Sequence, residues 1–152
     1  MTDSEKVPIR LGVVILAAGA SLRMGRSKLL LRWGETSVIG HLLSQWRQTG
    51  AEQIGIVSAQ ANEAFTRELD RLKFPEDGRI INPSPEQGMF SSIQCAADSR
   101  HWNPALTHWA ISLGDQPHLR QQTLLELLDF VVLNPRRICQ PSRNGRPRHP
   151  VI

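Results

Sequence analysis

The chain has 152 residues, of which 40% are hydrophobic and 21% charged, with two cysteines, Cys95 and Cys139, in no CxxC or Cys/His cluster. This length and balance suit one packed α/β domain and exclude a disordered tail, a fibre, a disulfide framework and a zinc cluster. Eighteen Lys and Arg against 14 Asp and Glu leave a net charge of +4, which favours anionic ligands; an aromatic content of 5% with no Tyr argues against a nucleic-acid surface.

The longest apolar run, Val13 to Ala18, is strand length and far below the ~20 residues that span a bilayer. Unpaired cysteines point to a reducing cytoplasm. Residues 1–10 carry Asp3, Glu5 and Lys6 without the apolar stretch of a signal peptide, and read as a short frayed tail before a domain over residues 11–152.

In chain order, Leu11 to Leu16 (LGVVIL) has the unbroken apolar pattern of a strand buried on both faces of a parallel sheet. From Ser37 to Gln48, Val38, Ile39, Leu42, Leu43 and Trp46 recur at helical spacing, with Gly50 as the stop. Ile54 to Val57 reads as the second strand. Asn62 caps a helix that turns Phe65, Leu69 and Leu72 inward. Arg79 to Ile81 is a third strand, closed by Asn82-Pro83-Ser84-Pro85, and Met89, Ile93, Ala96 and Ala97 mark the inner face of the next helix.

Thr107 to Leu113 is a fourth strand, followed by Gly114-Asp115-Gln116-Pro117 and a Leu-rich helix from about Gln121 to Leu133. Arg137 to Gln140 reads as a last strand, with Asn144-Gly145 as a turn before His149-Pro150-Val151-Ile152. Strands alternating with helices predict a doubly wound, mostly parallel sheet with helices on both faces. The stop at Val151-Ile152, in what reads as the start of a strand, predicts a domain cut short at its C-terminus, with a short edge strand as the alternative.

The segment Leu16-Ala17-Ala18-Gly19-Ala20-Ser21-Leu22-Arg23-Met24-Gly25-Arg26-Ser27-Lys28 follows the first strand and combines small residues, glycines and cations. Small residues let backbone N–H groups approach a phosphate, Arg23 supplies a fork of donors and Lys28 a point charge. The spacing is neither GxxxxGK[ST] nor GxGxxG. An ordinary βα connection would use the same glycines only to turn.

Asp115 ends a buried strand, where an open α/β sheet places its ligand groups, and one such carboxylate can anchor Mg²⁺ together with substrate phosphates. Capping of the following helix is its bland alternative. Gly88-Met89-Phe90-Ser91-Ser92-Ile93 opens a helix whose free amides and hydroxyls can meet a nucleotide, or Ser91 and Ser92 can simply cap it. Asn82 can donate to and accept from a base edge, or form a turn. The histidines His41, His101, His108 and His118 make no metal-ligand pair, and no serine or cysteine stands in a nucleophile motif, so covalent catalysis is not expected.

The chain resembles the MobA-like nucleotidyltransferases, and most closely their molybdenum cofactor cytidylyltransferase branch. The resemblance rests on LAAGASLRMGRSKLLL, then Asn82, GMFSSI, GDQP and HPV in that order, and covers roughly Gly12 to Ile152. It implies a nucleotide-diphospho-sugar transferase fold of Rossmann-like type. It also implies transfer of CMP from CTP to the phosphate of molybdopterin cofactor, with release of pyrophosphate.

In this reading Arg23, Lys28 and Asp115 are catalytic, and Asp115 holds Mg²⁺. Leu16, Ala17, Ala18, Gly19, Arg23, Gly25, Lys28, Asn82, Gly88, Ser91 and Ser92 bind the nucleotide. Ala18, giving LAAG rather than LAGG, favours CTP over GTP. Pro141, Arg146, His149 and Pro150 match the region facing the second substrate, whereas Arg148 stands where a glycine is usual, which bears on the choice of acceptor. A molybdoenzyme is a further partner to consider. The alternatives are a guanylyl- or sugar-nucleotidyltransferase and a nucleotide-binding module without turnover, the latter because no Asp or Glu follows Asp129.

Overall fold

The computed structural model describes residues 8–19 and 27–152. In chain order the elements are β1 (Leu11–Leu16), β2 (Arg32–Trp33), β3 (Thr36–Ser37), α1 (Val38–Gln48), β4 (Gln53–Ala59), α2 (Glu63–Arg71), β5 (Arg79–Asn82), α3 (Met89–Asp98), β6 (His108–Leu113), α4 (Gln121–Leu133), β7 (Ser142–Arg143) and β8 (Arg146–Pro147). The central sheet has the order β5-β4-β1-β6 and all its pairings are parallel.

Alternation along β1 sorts the core into two layers, because successive side chains point to opposite faces. Val13 and Ile15 pack with Ile39, Leu43 and Trp46 of α1, Phe65 and Leu69 of α2, and Leu124 and Val131 of α4. Val14 and Leu16 face the other way, onto Val57, Ile80 and Ala96 of α3. Each fully buried aliphatic or aromatic side chain of this kind contributes roughly 1.5–3 kcal/mol. Trp46 also satisfies its indole by donating to Ser112 Oγ of β6 at 3.2 Å, which ties α1 to the strand that leads into Asp115.

Local signals set the element boundaries. Ser37 accepts from the Gly40 amide at the start of α1, and Gly50 follows that helix at φ +82°. Asn62 caps α2 by accepting from the Phe65 amide at 3.2 Å. Asn144 and Gly145, at φ +52° and +71°, form the two-residue turn between β7 and β8 that the Asn-Gly pair predicts.

Several expectations are corrected. Of the tail expected over residues 1–10, residues 1–7 lie outside the described residues, whereas Arg10 is fixed in the body: its guanidinium donates to Glu52 at 2.8–3.1 Å and its carbonyl accepts from Thr107. Residues 137–140 form no strand; instead the Cys139 backbone exchanges two hydrogen bonds with Ile152. The inner face of α3 is Ser91, Ser92 and Ala96, while Met89 and Ala97 are exposed. Two serines can face inward because Asn82 supplies their polar partner. The small hairpin of β2 and β3, turning at Gly34 with φ +59°, adds to the reading from sequence.

Candidate active site

The chain winds from β1 outward through β4 to β5, then returns to the opposite side of β1 as β6. The reversal of winding between β1 and β6 opens a crevice at the carboxyl ends of these strands, where ligands bind in open α/β sheets. A cleft of about 700 Å³ occupies this place. Its walls are Leu16 to Gly19 at the end of β1, Lys28 and Leu29, Gly88, Met89 and Ser92 at the start of α3, and Leu113 to Asp115 at the end of β6.

The loop after β1 offers fewer free amides than its composition suggests. Ala17 donates its N–H to Val57 O at 2.7 Å, extending the pairing with β4, and Leu16 O accepts from the Gly114 amide at 3.0 Å. The amides of Ala18 and Gly19 have no acceptor among the described residues. Gly19 is exposed, and a Cβ added there would meet none of the described residues within 4 Å, whereas Ala18 is buried against Val57 and Ala96. Arg23 and Gly25 lie outside the described residues.

Lys28 opens a short 3₁₀ turn, Lys28–Leu30, with its ammonium exposed and its neighbour Leu29 sunk in the core. Leu29 lies against Gly114: a Cβ added there would stand 2.7 Å from Leu29 Cδ2 and 2.9 Å from Leu16 O. Glycine at 114 is thus a matter of close approach, and it sets the Lys28 turn beside the strand end that carries Asp115. The Gly-Asp pair in the sequence is the signal that marks this contact. Met89 and Pro85 also line the cleft, and only their nearness to Gly88 hinted at that.

Asp115 is exposed at the mouth and forms no hydrogen bond or ion pair with any described residue. It does not cap α4, whose N-cap is Arg120. Among the described residues no group of three His, Cys, Asp or Glu side chains could cage a metal ion. A carboxylate with no partner among the described residues, at the mouth of this cleft, fits a Mg²⁺-like ion that takes one or two carboxylates, substrate phosphates and water, and does not fit a site built wholly from protein ligands.

Asn82 and Ser91 stand behind the cleft instead of lining it. Asn82 is 1% exposed; it donates to Ser91 Oγ at 2.8 Å and Ser92 Oγ at 2.9 Å and accepts from the Ser84 amide at 2.9 Å. The amide expected to read a base edge is therefore spent within the fold. Ser91 passes its own proton to Gly88 O at 2.7 Å, and α3 begins without a side-chain cap.

Beyond the sheet, Val151 pairs antiparallel with Ile111 of β6. The residues before Val151 therefore run toward the carboxyl end of β6, the end that carries Asp115. Pro150, which follows a cis peptide, is buried, while Arg143, Arg146 and Arg148 on the β7–β8 hairpin are exposed. No helix among the described residues is long and apolar enough to cross a membrane.

Comparison with known proteins agrees with this architecture. The chain is 27% identical over 141 residues to the molybdenum cofactor cytidylyltransferase of Escherichia coli (strain K12), covering 91% of this chain and 67% of that protein. Among solved structures it is similar to Rv0371c of Mycobacterium tuberculosis H37Rv, at 28% identity and a TM-score of 0.66, covering 84% of this chain and 63% of that one. A complex of Rv0371c with manganese is similar at 27% identity and a TM-score of 0.59, covering 84% and 62%. CMP:2-keto-3-deoxy-manno-octonic acid synthetase complexed with CTP shares the fold alone, at 15% identity and a TM-score of 0.67, covering 85% of this chain and 50% of that one. The chain thus spans about two-thirds of the length of the first two relatives. With the family model matching residues 13–152, the chain belongs to the MobA-like NTP transferase domain family.

Proposed function

We propose that the protein transfers CMP from CTP to the terminal phosphate of molybdopterin cofactor, releasing pyrophosphate. The observation that carries this reading is the meeting of Lys28 and Asp115 in one cleft at the β1/β6 crevice, an ammonium and a carboxylate without a partner among the described residues, on a wall of small residues. Family membership and the relative of that activity in Escherichia coli support it.

In the reaction, an oxygen of the acceptor phosphate forms a bond to the α-phosphorus of CTP. The bond from that phosphorus to the bridging oxygen breaks, and pyrophosphate leaves with the electron pair. The attacking phosphate is already ionised at neutral pH, so the site must align the groups and offset charge, and no side-chain base is required. Lys28 and the amides of Ala18 and Gly19 would hold the triphosphate, with Arg23 and Gly25 of the same loop proposed to join them. Asp115 would hold a divalent ion, Mg²⁺ in this proposal, whose chemistry is to neutralise charge on the phosphate oxygens. Gly88 and Ser92 supply the wall opposite.

Ala18 supports CTP over GTP, since the resemblance pairs the LAAG form with the cytidylyl type and LAGG with the guanylyl type. Arg146 and Arg148 place positive charge on the segment that runs to the Asp115 end of the sheet, fitting an anionic acceptor. A cytoplasmic location goes with this reading.

The test is pyrophosphate release and formation of the cytidylylated product from molybdopterin, with CTP and GTP in parallel. The expected result is turnover with CTP that falls by roughly two to three orders of magnitude in Asp115→Ala, with a smaller change in nucleotide affinity. Near-normal turnover of that variant at saturating Mg²⁺, or preference for GTP, would overturn the proposal.

A further inference from the structure

We infer that Asn82 is a positioning residue for the nucleotide, acting through the Ser92 hydroxyl without touching the ligand. This rests on the nucleotidyltransferase reading and concerns how the wall opposite Lys28 recognises its ligand.

The orientation of the Asn82 amide is fixed by its neighbours. The Ser84 N–H can only donate, so the group facing it at 2.9 Å is Oδ1, and the NH₂ must face the two serines. Both amide hydrogens are then used, on Ser91 Oγ and Ser92 Oγ. Each serine oxygen acts as an acceptor on its inner side, and each keeps one proton to give.

The two protons have different fates. That of Ser91 goes to Gly88 O at 2.7 Å. That of Ser92 has no acceptor among the described residues, although the residue is only 4% exposed and lines the cleft. A buried hydroxyl whose lone pair is pinned from behind presents its proton forward into the cleft, where a ligand oxygen can accept it in place of water. The ligand group it fits is an acceptor oxygen of the nucleotide, on the sugar or on a phosphate.

Asn82→Asp has nearly the same shape and reverses this polarity. A carboxylate offers the serines no donor, so the Ser92 proton turns back to it and leaves the cleft. The experiment is a double-mutant cycle on the Kd for Mg²⁺–CTP with Asn82→Asp, Ser92→Ala and both together, with melting checked for each protein. Asn82→Asp and Ser92→Ala are each expected to weaken binding about tenfold, and the pair also about tenfold, because the second change removes nothing further. Ser92→Thr, which keeps the hydroxyl, should bind within about threefold of the wild type.

An effect of about a hundredfold in the double variant would mean that Asn82 meets the ligand independently, and would overturn the inference; so would an Asn82→Asp protein that binds normally. If Asn82→Asp does not melt cooperatively, Asn82→Ala replaces it in the cycle with the same expectation. Parallel titration with cytidine distinguishes a sugar oxygen from a phosphate oxygen. Failure of wild-type protein to bind CTP, GTP or ATP would overturn the nucleotide reading and this inference together, whereas binding with independent effects overturns only the inference.

Discussion

Replacing Gly114 by alanine tests whether the cleft is held by close packing between β1, the Lys28 turn and β6. The added methyl carbon would lie 2.7 Å from Leu29 Cδ2 and 2.9 Å from Leu16 O, against the 3.5–4.0 Å of a relaxed carbon contact. Leu29 can swing aside only by disturbing the core in which it is 7% exposed. The Leu16 carbonyl cannot retreat without stretching the hydrogen bond it accepts from the Gly114 amide at 3.0 Å. Overpacking of this kind costs about 1–3 kcal/mol, and for a domain near 150 residues a cost of about 2 kcal/mol lowers Tm by roughly 4–8 °C. The displacement of Leu29 also moves Lys28, so affinity for Mg²⁺–CTP should fall with stability. Calorimetric melting of Gly114→Ala, Leu29→Ala and the double variant separates the two contacts. Removing the Leu29 side chain relieves one clash and leaves the carbonyl clash in place, so the two costs should fall short of additivity by about 1 kcal/mol. A Gly114→Ala protein with wild-type Tm, or fully additive costs, would refute the packing argument.

Three further outcomes follow from named contacts. Trp46→Phe removes the buried donor to Ser112 Oγ and should cost about 2 kcal/mol in denaturant unfolding, from lost packing and a stranded hydroxyl; unchanged stability would mean the bond is not formed. Glu68 accepts from Arg71 and Ser37, and these contacts, with Arg71 foremost, hold its carboxyl below the usual 4.5. A depressed folded-state pKa gives stability that is present above the unfolded value and is lost as pH falls through the folded one. Glu68→Gln should therefore be less stable than wild type at pH 7 by about 1 kcal/mol, with the gap closing in acid; a gap independent of pH would contradict the assignment. Lys28→Ala should weaken triphosphate binding more than nucleoside binding in parallel titrations, because the point charge meets phosphate; an equal loss for both would place Lys28 elsewhere.

The strands and helices of the sheet were legible because each carries its own periodicity. The bounds of β1 and α4 follow directly from an apolar run and a Leu-rich repeat, and the caps Ser37 and Asn62 act as their residue types predict. The misreadings have a common physical cause, a partner distant in sequence. Apolar spacing placed Met89 and Ala97 inward on α3, whereas Asn82 draws Ser91 and Ser92 there, a pairing across nine and ten residues that periodicity does not contain. Residues 137–140 have strand-like composition, yet Cys139 meets Ile152 alone and no ladder follows. In the site, residue chemistry marked Lys28 and Asp115, but the spent amide of Ala17 and the contact of Gly114 with Leu29 depend on strand register and could not be read from composition.

The central claim is that the crevice between β1 and β6 holds a nucleoside triphosphate through Lys28 and an ion on Asp115. Thermal melting with Mg²⁺ alone and with Mg²⁺ plus CTP, GTP or ATP measures this directly. CTP at about 100 times its Kd should add about 2.7 kcal/mol, raising Tm by roughly 5–11 °C. That rise should be largest with CTP and much reduced in Lys28→Ala. A cooperative melt that no nucleotide moves, or one that CTP raises equally in wild type and Lys28→Ala, would contradict the account.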